Sequence, residues 1–76
     1  GVANPRGIIT SGAVLTVATE DSTLNIREEA STDGAIVGKA AKGESVTLVE
    51  QTNDDWWKVR TADGEEGYAY ARYLQA

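Results

Sequence analysis

The sequence predicts an all-β fold, a single small barrel of short strands. The chain has 76 residues, which allows one domain with a modest core. From residue 13 onward, apolar and polar residues alternate in short runs, as in strands with one buried face. Turn-forming residues separate the runs, and no run has a clear apolar 3.6-residue period. Five or six short strands at this spacing favour a barrel over a sandwich, because closing the sheet removes exposed edges.

Four strands are predicted in chain order from their alternating apolar positions. The residues predicted to face the core are Leu15, Val17, Leu24, Ile26, Val46, Leu48, Trp57 and Val59. The turns between and after them are predicted where Gly, Asp, Asn and Ser cluster. These are residues 21–22, 31–34, 42–43, 53–55 and 62–64.

Residues 1–12 differ in composition from the remainder of the chain. They hold the single proline and three of the eight glycines, which is typical of a flexible linker or a tag remnant. Ile8 and Ile9 are the exception, because they could dock on the edge of the domain. Residues 13–76 are predicted to form the folded domain. Since the chain begins with Gly1 instead of Met, we interpret it as a module of a longer protein.

The last hairpin has a register that can be predicted from its turn. Residues 62–64, Ala-Asp-Gly, suit a three-residue loop with glycine in the left-handed region. Thr61 then pairs with Glu65, and the pairs continue outward to Trp56 with Tyr70. The register turns Trp57, Val59, Gly67 and Ala69 inward, with the small residues at 67 and 69 leaving room for the Trp57 indole. It turns Trp56, Lys58, Arg60, Glu66, Tyr68 and Tyr70 outward, and it places the opposite charges of Arg60 and Glu66 together.

The charge and the missing residue types exclude several functions. With Lys+Arg 7 against Asp+Glu 12 the net charge is −5, which argues against binding nucleic acid or an anionic membrane surface. The chain has no His and no Cys, so it lacks the usual general base, a thiol nucleophile and the usual zinc ligands. We predict no cofactor and no metal site, although a calcium site among loop carboxylates stays open.

The adjacent carboxylate pairs do not predict an enzyme. Asp54 and Asp55, like Glu65 and Glu66, are neighbours in the chain. Neighbouring residues of a strand point to opposite faces, so neither pair could flank one scissile glycosidic bond. We therefore expect a noncatalytic protein.

Trp56 and Tyr70 are the most distinctive candidate site. The register places them side by side on the face away from the core, where large aromatic rings are costly to leave in water. We interpret them as a platform on which a ligand stacks, extended by Tyr73. The alternative is that the N-terminal segment, with Ile8 and Ile9, covers both rings.

Acidic residues occur in two loops that could flank this platform. Glu28, Glu29 and Asp33 follow the Leu24–Ile26 strand, and Asp54 and Asp55 precede Trp56. Together they would give the aromatic groove negative walls that favour cationic or amine-bearing ligands. The alternative is that they are ordinary solvated loop charges.

Blocks of residues in a fixed order resemble a known family over most of the chain. The blocks are Leu24-Asn25-Ile26-Arg27, Ala30-Ser31-Thr32, Ile36-Val37-Gly38, the run 42–48, Trp56-Trp57-Lys58-Val59, Gly67-Tyr68-Ala69 and Tyr73-Leu74. From about Ala13 to Leu74 the chain resembles the bacterial SH3 domains of extracellular and cell-wall proteins. The eukaryotic SH3 pattern is similar around Trp56, but its amino-terminal Ala-Leu-Tyr-Asp-Tyr block is replaced here by Leu24-Asn25-Ile26-Arg27.

The resemblance implies an SH3-like barrel of five to seven short antiparallel strands, with a long loop near Arg27–Ala35 forming one wall of a groove. Trp56 matches the ligand-facing tryptophan of the fold and Tyr73 its closing tyrosine. Tyr70 stands where the eukaryotic branch has proline, which argues against a polyproline ligand. The residues predicted to bind ligand are Trp56, Tyr68, Tyr70, Tyr73, Glu28, Glu29 and Asp55.

The family's usual role implies a noncatalytic targeting module of a secreted bacterial protein. Its partner would be a peptide or glycan of the peptidoglycan cell wall, and its location extracellular or cell-wall associated. The alternative is an interaction domain that docks on a neighbouring enzymatic domain and orients it. A eukaryotic-type module for proline-rich peptides is a third possibility. We expect a monomer.

Overall fold

The computed structural model describes residues 11–19 and 22–75. Seven strands and one 3-10 turn, Ala71–Tyr73, make up the regular structure of this part of the chain. The strands are β1 Val14–Val17, β2 Leu24–Arg27, β3 Ile36–Ala40, β4 Ser45–Glu50, β5 Trp56–Arg60, β6 Glu66–Tyr70 and β7 Leu74–Gln75. The all-β prediction is confirmed. Most of the predicted linker, with Ile8 and Ile9, lies outside the described residues, so its flexibility stays a prediction.

The strands form one antiparallel sheet in the order β3-β2-β6-β5-β4-β1-β7. β3 and β7 are the two edges, and each pairs on one side within the described residues. The sheet is therefore open at these two edges, and the barrel is only partly closed. None of the described segments is a helix long and apolar enough to cross a membrane.

The core lies on the inner face of the curved sheet. All eight positions predicted from the alternating pattern are buried there, and Leu15, Ile26 and Val59 are fully inaccessible. Ala40, Ala69, Ala71 and Leu74 complete this cluster. The alternation predicts these positions well because each short strand has one face against the core and one against solvent.

The predicted register of the last hairpin is confirmed at every pair from Trp56–Tyr70 to Arg60–Glu66. The Gly64 N–H donates to the Thr61 carbonyl oxygen at 2.9 Å, which closes the turn. Gly64 has a φ of 90°, in the left-handed region where glycine has no steric cost. This hairpin fixes which side chains of β5 and β6 face outward.

The atoms closest to Gly67 belong to strands that the sequence prediction did not name as its neighbours. The atoms nearest to a Cβ placed at Gly67 would be the Arg27 carbonyl oxygen at 2.6 Å and Ile26 Cγ2 at 2.7 Å, followed by Val37 Cγ2 at 3.1 Å. Gly67 therefore accommodates the close approach of β2 and β3, whereas the sequence had suggested that it makes room for Trp57.

Candidate functional site

Three aromatic rings meet on the outer face where β5 begins and β6 ends. The rings of Trp56 and Tyr70 are stacked, with centroids 4.3 Å apart and planes inclined by 23°. The Tyr73 ring meets Tyr70 edge to face at 6.2 Å. The cross-strand pairing brings Trp56 and Tyr70 together, and the 3-10 turn after β6 places Tyr73 beside them. Such offset-stacked and edge-to-face pairs are favourable arrangements for aromatic rings.

Trp56 is more buried than the sequence predicted. The prediction placed an exposed indole on the outer face, whereas only 8% of Trp56 is exposed. Its ring lies against Tyr70, and its backbone N–H donates to Asn53 Oδ1 at 2.8 Å. Because Tyr70 and Tyr73 are half-buried, most of the accessible aromatic surface belongs to the two tyrosines.

The three rings line a cavity of about 410 Å³, here called the aromatic groove. Its volume is in the usual range of about 300–1,000 Å³ for small-ligand sites. Hydroxyl and amide side chains from the connection between β1 and β2 and from β2 itself also line it, namely Thr19, Ser22, Thr23 and Asn25. The groove thus combines flat apolar surface with groups that can form hydrogen bonds.

The charged residues described in the groove lining are both arginines, Arg27 and Arg72. Arg27 Nη1 donates to the Gly34 carbonyl oxygen at 2.9 Å, and Arg72 Cζ lies 5.7 Å from the centre of the Tyr73 ring. The sequence predicted negative walls formed by the acidic loops. Instead, Glu28 and Glu29 are exposed and do not line the groove.

The loop after β2 folds back on itself instead of extending as a free acidic wall. The Glu28 N–H donates to the Ala35 carbonyl oxygen at 2.8 Å, and the Gly34 N–H donates to the Ser31 carbonyl oxygen at 3.0 Å. Gly34 is buried within this loop. Its carbonyl is thereby placed to accept from Arg27. Reasoning from the sequence missed Arg27 as a groove residue, although its alternation with Ile26 already turned it outward.

Asp55 lies in a second, smaller cavity beside the aromatic groove. This cavity has a volume of about 280 Å³ and is lined by Asp54, Asp55, Tyr70 and Arg72. The loop is held by Asn53, whose Oδ1 also accepts the Asp55 N–H at 2.9 Å. Tyr70 and Arg72 thus form a wall common to both cavities.

Tyr68, another predicted binding residue, lies outside the described lining of both cavities. It pairs with Arg27 across β2 and β6, and its ring is 5.9 Å from Lys58 Nζ. Farther along this face, Arg60 Nε donates to Glu66 Oε2 at 3.0 Å, and Lys58 Nζ lies 3.7 Å from Glu66 Oε1. The hydrogen bond from Arg60 lowers the pKa of Glu66 below its ordinary value.

The chemistry of the groove is that of binding. Its described residues offer stacking surfaces, hydroxyl and amide groups and two guanidinium groups. Within residues 11–19 and 22–75, no group of three or more carboxylates is arranged to hold a metal ion.

Comparison with curated proteins gives a partial match to a eukaryotic protein. Over 35 residues, 46% of this chain, the sequence is 46% identical to the actin cytoskeleton-regulatory complex protein SLA1 of Mycosarcoma maydis. The match spans about 3% of the length of that protein. The match therefore shows that this chain is similar to one short segment of that larger protein.

The family model described as bacterial SH3 domain matches residues 22–75. The match covers β2 to β7, including every strand that contributes to the described lining of the groove, and leaves out only Thr19 of that lining. Domains of this kind are generally noncatalytic modules that bind proteins or peptides. On this match and on its seven-stranded antiparallel sheet, the chain belongs to the bacterial SH3 domain family.

Proposed function

We propose that this domain is a noncatalytic targeting module that binds a peptide or glycan of the bacterial cell wall in the aromatic groove. The observation that carries the proposal is the meeting of Trp56, Tyr70 and Tyr73 along one wall of a cavity of about 410 Å³. Aromatic rings bury large area with little loss of side-chain entropy, which suits a small binding site.

The polar lining supports a peptide or glycan over a purely apolar ligand. Thr19, Ser22, Thr23 and Asn25 offer donors and acceptors beside the rings. Peptide amides and sugar hydroxyls need such partners when they leave water. Because a platform this small desolvates few side chains, we expect micromolar or weaker affinity.

A location outside the cell is part of the proposal. Membership of the bacterial SH3 family supports a secreted parent protein, such as a peptidoglycan hydrolase that the module tethers to the wall. The net charge of −5 argues against nucleic acid as the partner.

Cosedimentation with purified insoluble peptidoglycan tests the proposal directly. Tyr70→Ala should release the domain into the supernatant, since it removes a ring of the groove. Tyr68→Ala is the matched control, because Tyr68 is also half-buried on the outer face of β6 but lies outside the described groove lining. The proposal would be contradicted if both variants lost cosedimentation equally, or if the wild-type domain did not sediment with peptidoglycan.

A second candidate function is docking on a neighbouring domain of the parent protein. The observation that favours it is apolar exposure on the edge strand β3, where Ile36 is 47% and Val37 37% exposed. An edge strand with exposed apolar residues can pair with or pack against another chain segment. In that case Ile36→Lys would disrupt the contact with the neighbouring domain, and the isolated module would not sediment with peptidoglycan.

A further inference from the structure

The described lining of the aromatic groove differs in charge from the chain as a whole. The chain carries a net charge of −5, yet both charged residues described in the groove lining are arginines. We propose, as an inference that rests on the proposed function, that the groove recognises peptides through a carboxylate group bound by Arg27 and Arg72. The ligand class is therefore narrowed to peptides with a free C terminus or an acidic side chain.

Arg27 is held in place before any ligand binds. Its Nη1 donates to the Gly34 carbonyl oxygen at 2.9 Å, which restrains the position of the guanidinium group. A guanidinium has five N–H donors, so this one bond leaves others for a ligand. Because Arg27 is half-buried, its attraction for an anion is less weakened by water than at a fully exposed position. Preorganisation of this kind reduces the entropy lost on binding.

Arg72 supplies the second cation from a different element. It belongs to the 3-10 turn after β6, and its guanidinium lies 5.7 Å from the centre of the Tyr73 ring. Among the described residues, the two ion pairs both involve Glu66, with Lys58 and Arg60 as its partners. No described carboxylate thus pairs with Arg27 or Arg72. Paired N–H donors of guanidinium groups match the two oxygens of a carboxylate.

The lining favours a peptide carboxylate over the phosphate of a wall polymer. Beside the two cations lie the rings of Tyr70 and Tyr73 and the side chains of Ser22 and Asn25. Flat apolar surfaces and hydrogen-bonding groups suit the side chains and amides of a peptide. A phosphate group would engage the two guanidinium groups but would make little use of the flat aromatic surfaces beside them.

The experiment measures binding of solubilised peptidoglycan stem-peptide fragments by isothermal titration calorimetry. The same fragments are tested after their carboxylates have been converted to amides. We expect the wild-type domain to bind the untreated fragments about tenfold or more tightly, because charge-assisted hydrogen bonds are lost with the carboxylate. We expect Arg27→Gln and Arg72→Gln to lose that preference. Arg72→Gln also guards against misfolding, since Arg72 is exposed on a short turn.

Arg60→Gln is the matched control, because it removes the same charge from outside the described lining of the groove. It should keep the preference for untreated fragments. Equal binding of both fragment sets by the wild type would overturn the carboxylate inference and leave the proposed function standing. The carboxylate inference would also be overturned if Arg60→Gln lost the preference for untreated fragments as fully as the groove variants do. Glycerol phosphate that competes for the domain as strongly as the untreated fragments would overturn it too. Absence of binding to either set would overturn the proposed function and the inference together.

Discussion

Arg27 Nη1 lies 2.9 Å from the carbonyl oxygen of Gly34 and donates a hydrogen bond to it. This contact joins the folded loop after β2 to the wall of the aromatic groove. The loop carries Glu28 and Glu29, whose exposed side chains lie outside the described groove lining. The loop therefore affects the groove through its backbone, because the Gly34 carbonyl oxygen orients Arg27.

Gly34→Ala should weaken ligand binding through this contact. A Cβ at Gly34 would lie 3.0 Å from the Glu29 backbone nitrogen and 3.2 Å from the Glu29 Cβ, so the loop must shift to accommodate it. We expect a several-fold loss of affinity for peptidoglycan fragments, measured by calorimetry, with the core strands unchanged in amide spectra. Thr32→Ala, an exposed change in the same loop, should bind normally. Wild-type affinity in Gly34→Ala would show that the loop does not position Arg27.

Trp56→Ala should destabilise the fold as well as alter the groove. Since Trp56 is only 8% exposed, its removal should cost about 2–4 kcal/mol of unfolding free energy, somewhat less than the roughly 3–5 kcal/mol expected for Trp57→Ala in the core. Urea denaturation of both variants measures the difference. If Trp56→Ala unfolded at the same urea concentration as the wild type, the packing of the Trp56 side chain would not stabilise the domain, and this prediction would be wrong.

Gly67→Ala should be among the most destabilising single-methyl changes in the domain. The added Cβ would meet the Arg27 carbonyl oxygen and Ile26 Cγ2 at 2.6 and 2.7 Å, and backbone atoms of a paired strand cannot easily withdraw. We expect a loss of about 1–3 kcal/mol, measured by thermal or urea unfolding. Ala62→Ser, in the exposed turn of the same hairpin, should be nearly neutral. Equal stability of the two variants would refute close packing of β6 against β2.

Glu66 should make the stability of the domain depend on pH in the acidic range. The hydrogen bond from Arg60 lowers the pKa of Glu66 in the folded state, so the contribution is fully present above the unfolded-state pKa of about 4.3. It declines as the pH falls through the folded-state pKa, because the folded protein then takes up the proton. Unfolding curves from pH 7 down to pH 2 measure this. The wild type should lose more stability than Glu66→Gln over that range, and parallel profiles would contradict the role of Glu66.

The sequence was most informative where a short loop determines pairing. The turn at residues 62–64 and the alternation along β5 and β6 sufficed to predict every pair from Trp56–Tyr70 to Arg60–Glu66, because a shift of one residue would bury charged side chains. The sequence alone therefore predicts that two of the groove's rings, Trp56 and Tyr70, lie together.

Two features of the site depend on distant contacts that alternation does not encode. The pattern assigned Trp56 to the outer face, but it could not give the degree to which Tyr70 and other neighbours cover the indole. Likewise, alternation turned Arg27 outward but could not show that the chain returns to present the Gly34 carbonyl to its guanidinium seven residues later. The described lining of the groove therefore carries two guanidinium groups. The positions of acidic residues in two flanking loops had suggested negative walls, but of these residues Asp54 and Asp55 line the adjacent smaller cavity.

Mapping the binding surface tests the central claim most directly. Backbone amide signals of the domain would be followed by NMR during titration with solubilised peptidoglycan fragments. Binding in the aromatic groove predicts shifts concentrated at Trp56, Tyr70, Tyr73, Arg27 and Arg72. Absence of shifts at millimolar fragment, or shifts confined to the exposed edge strand β3, would contradict recognition through the groove.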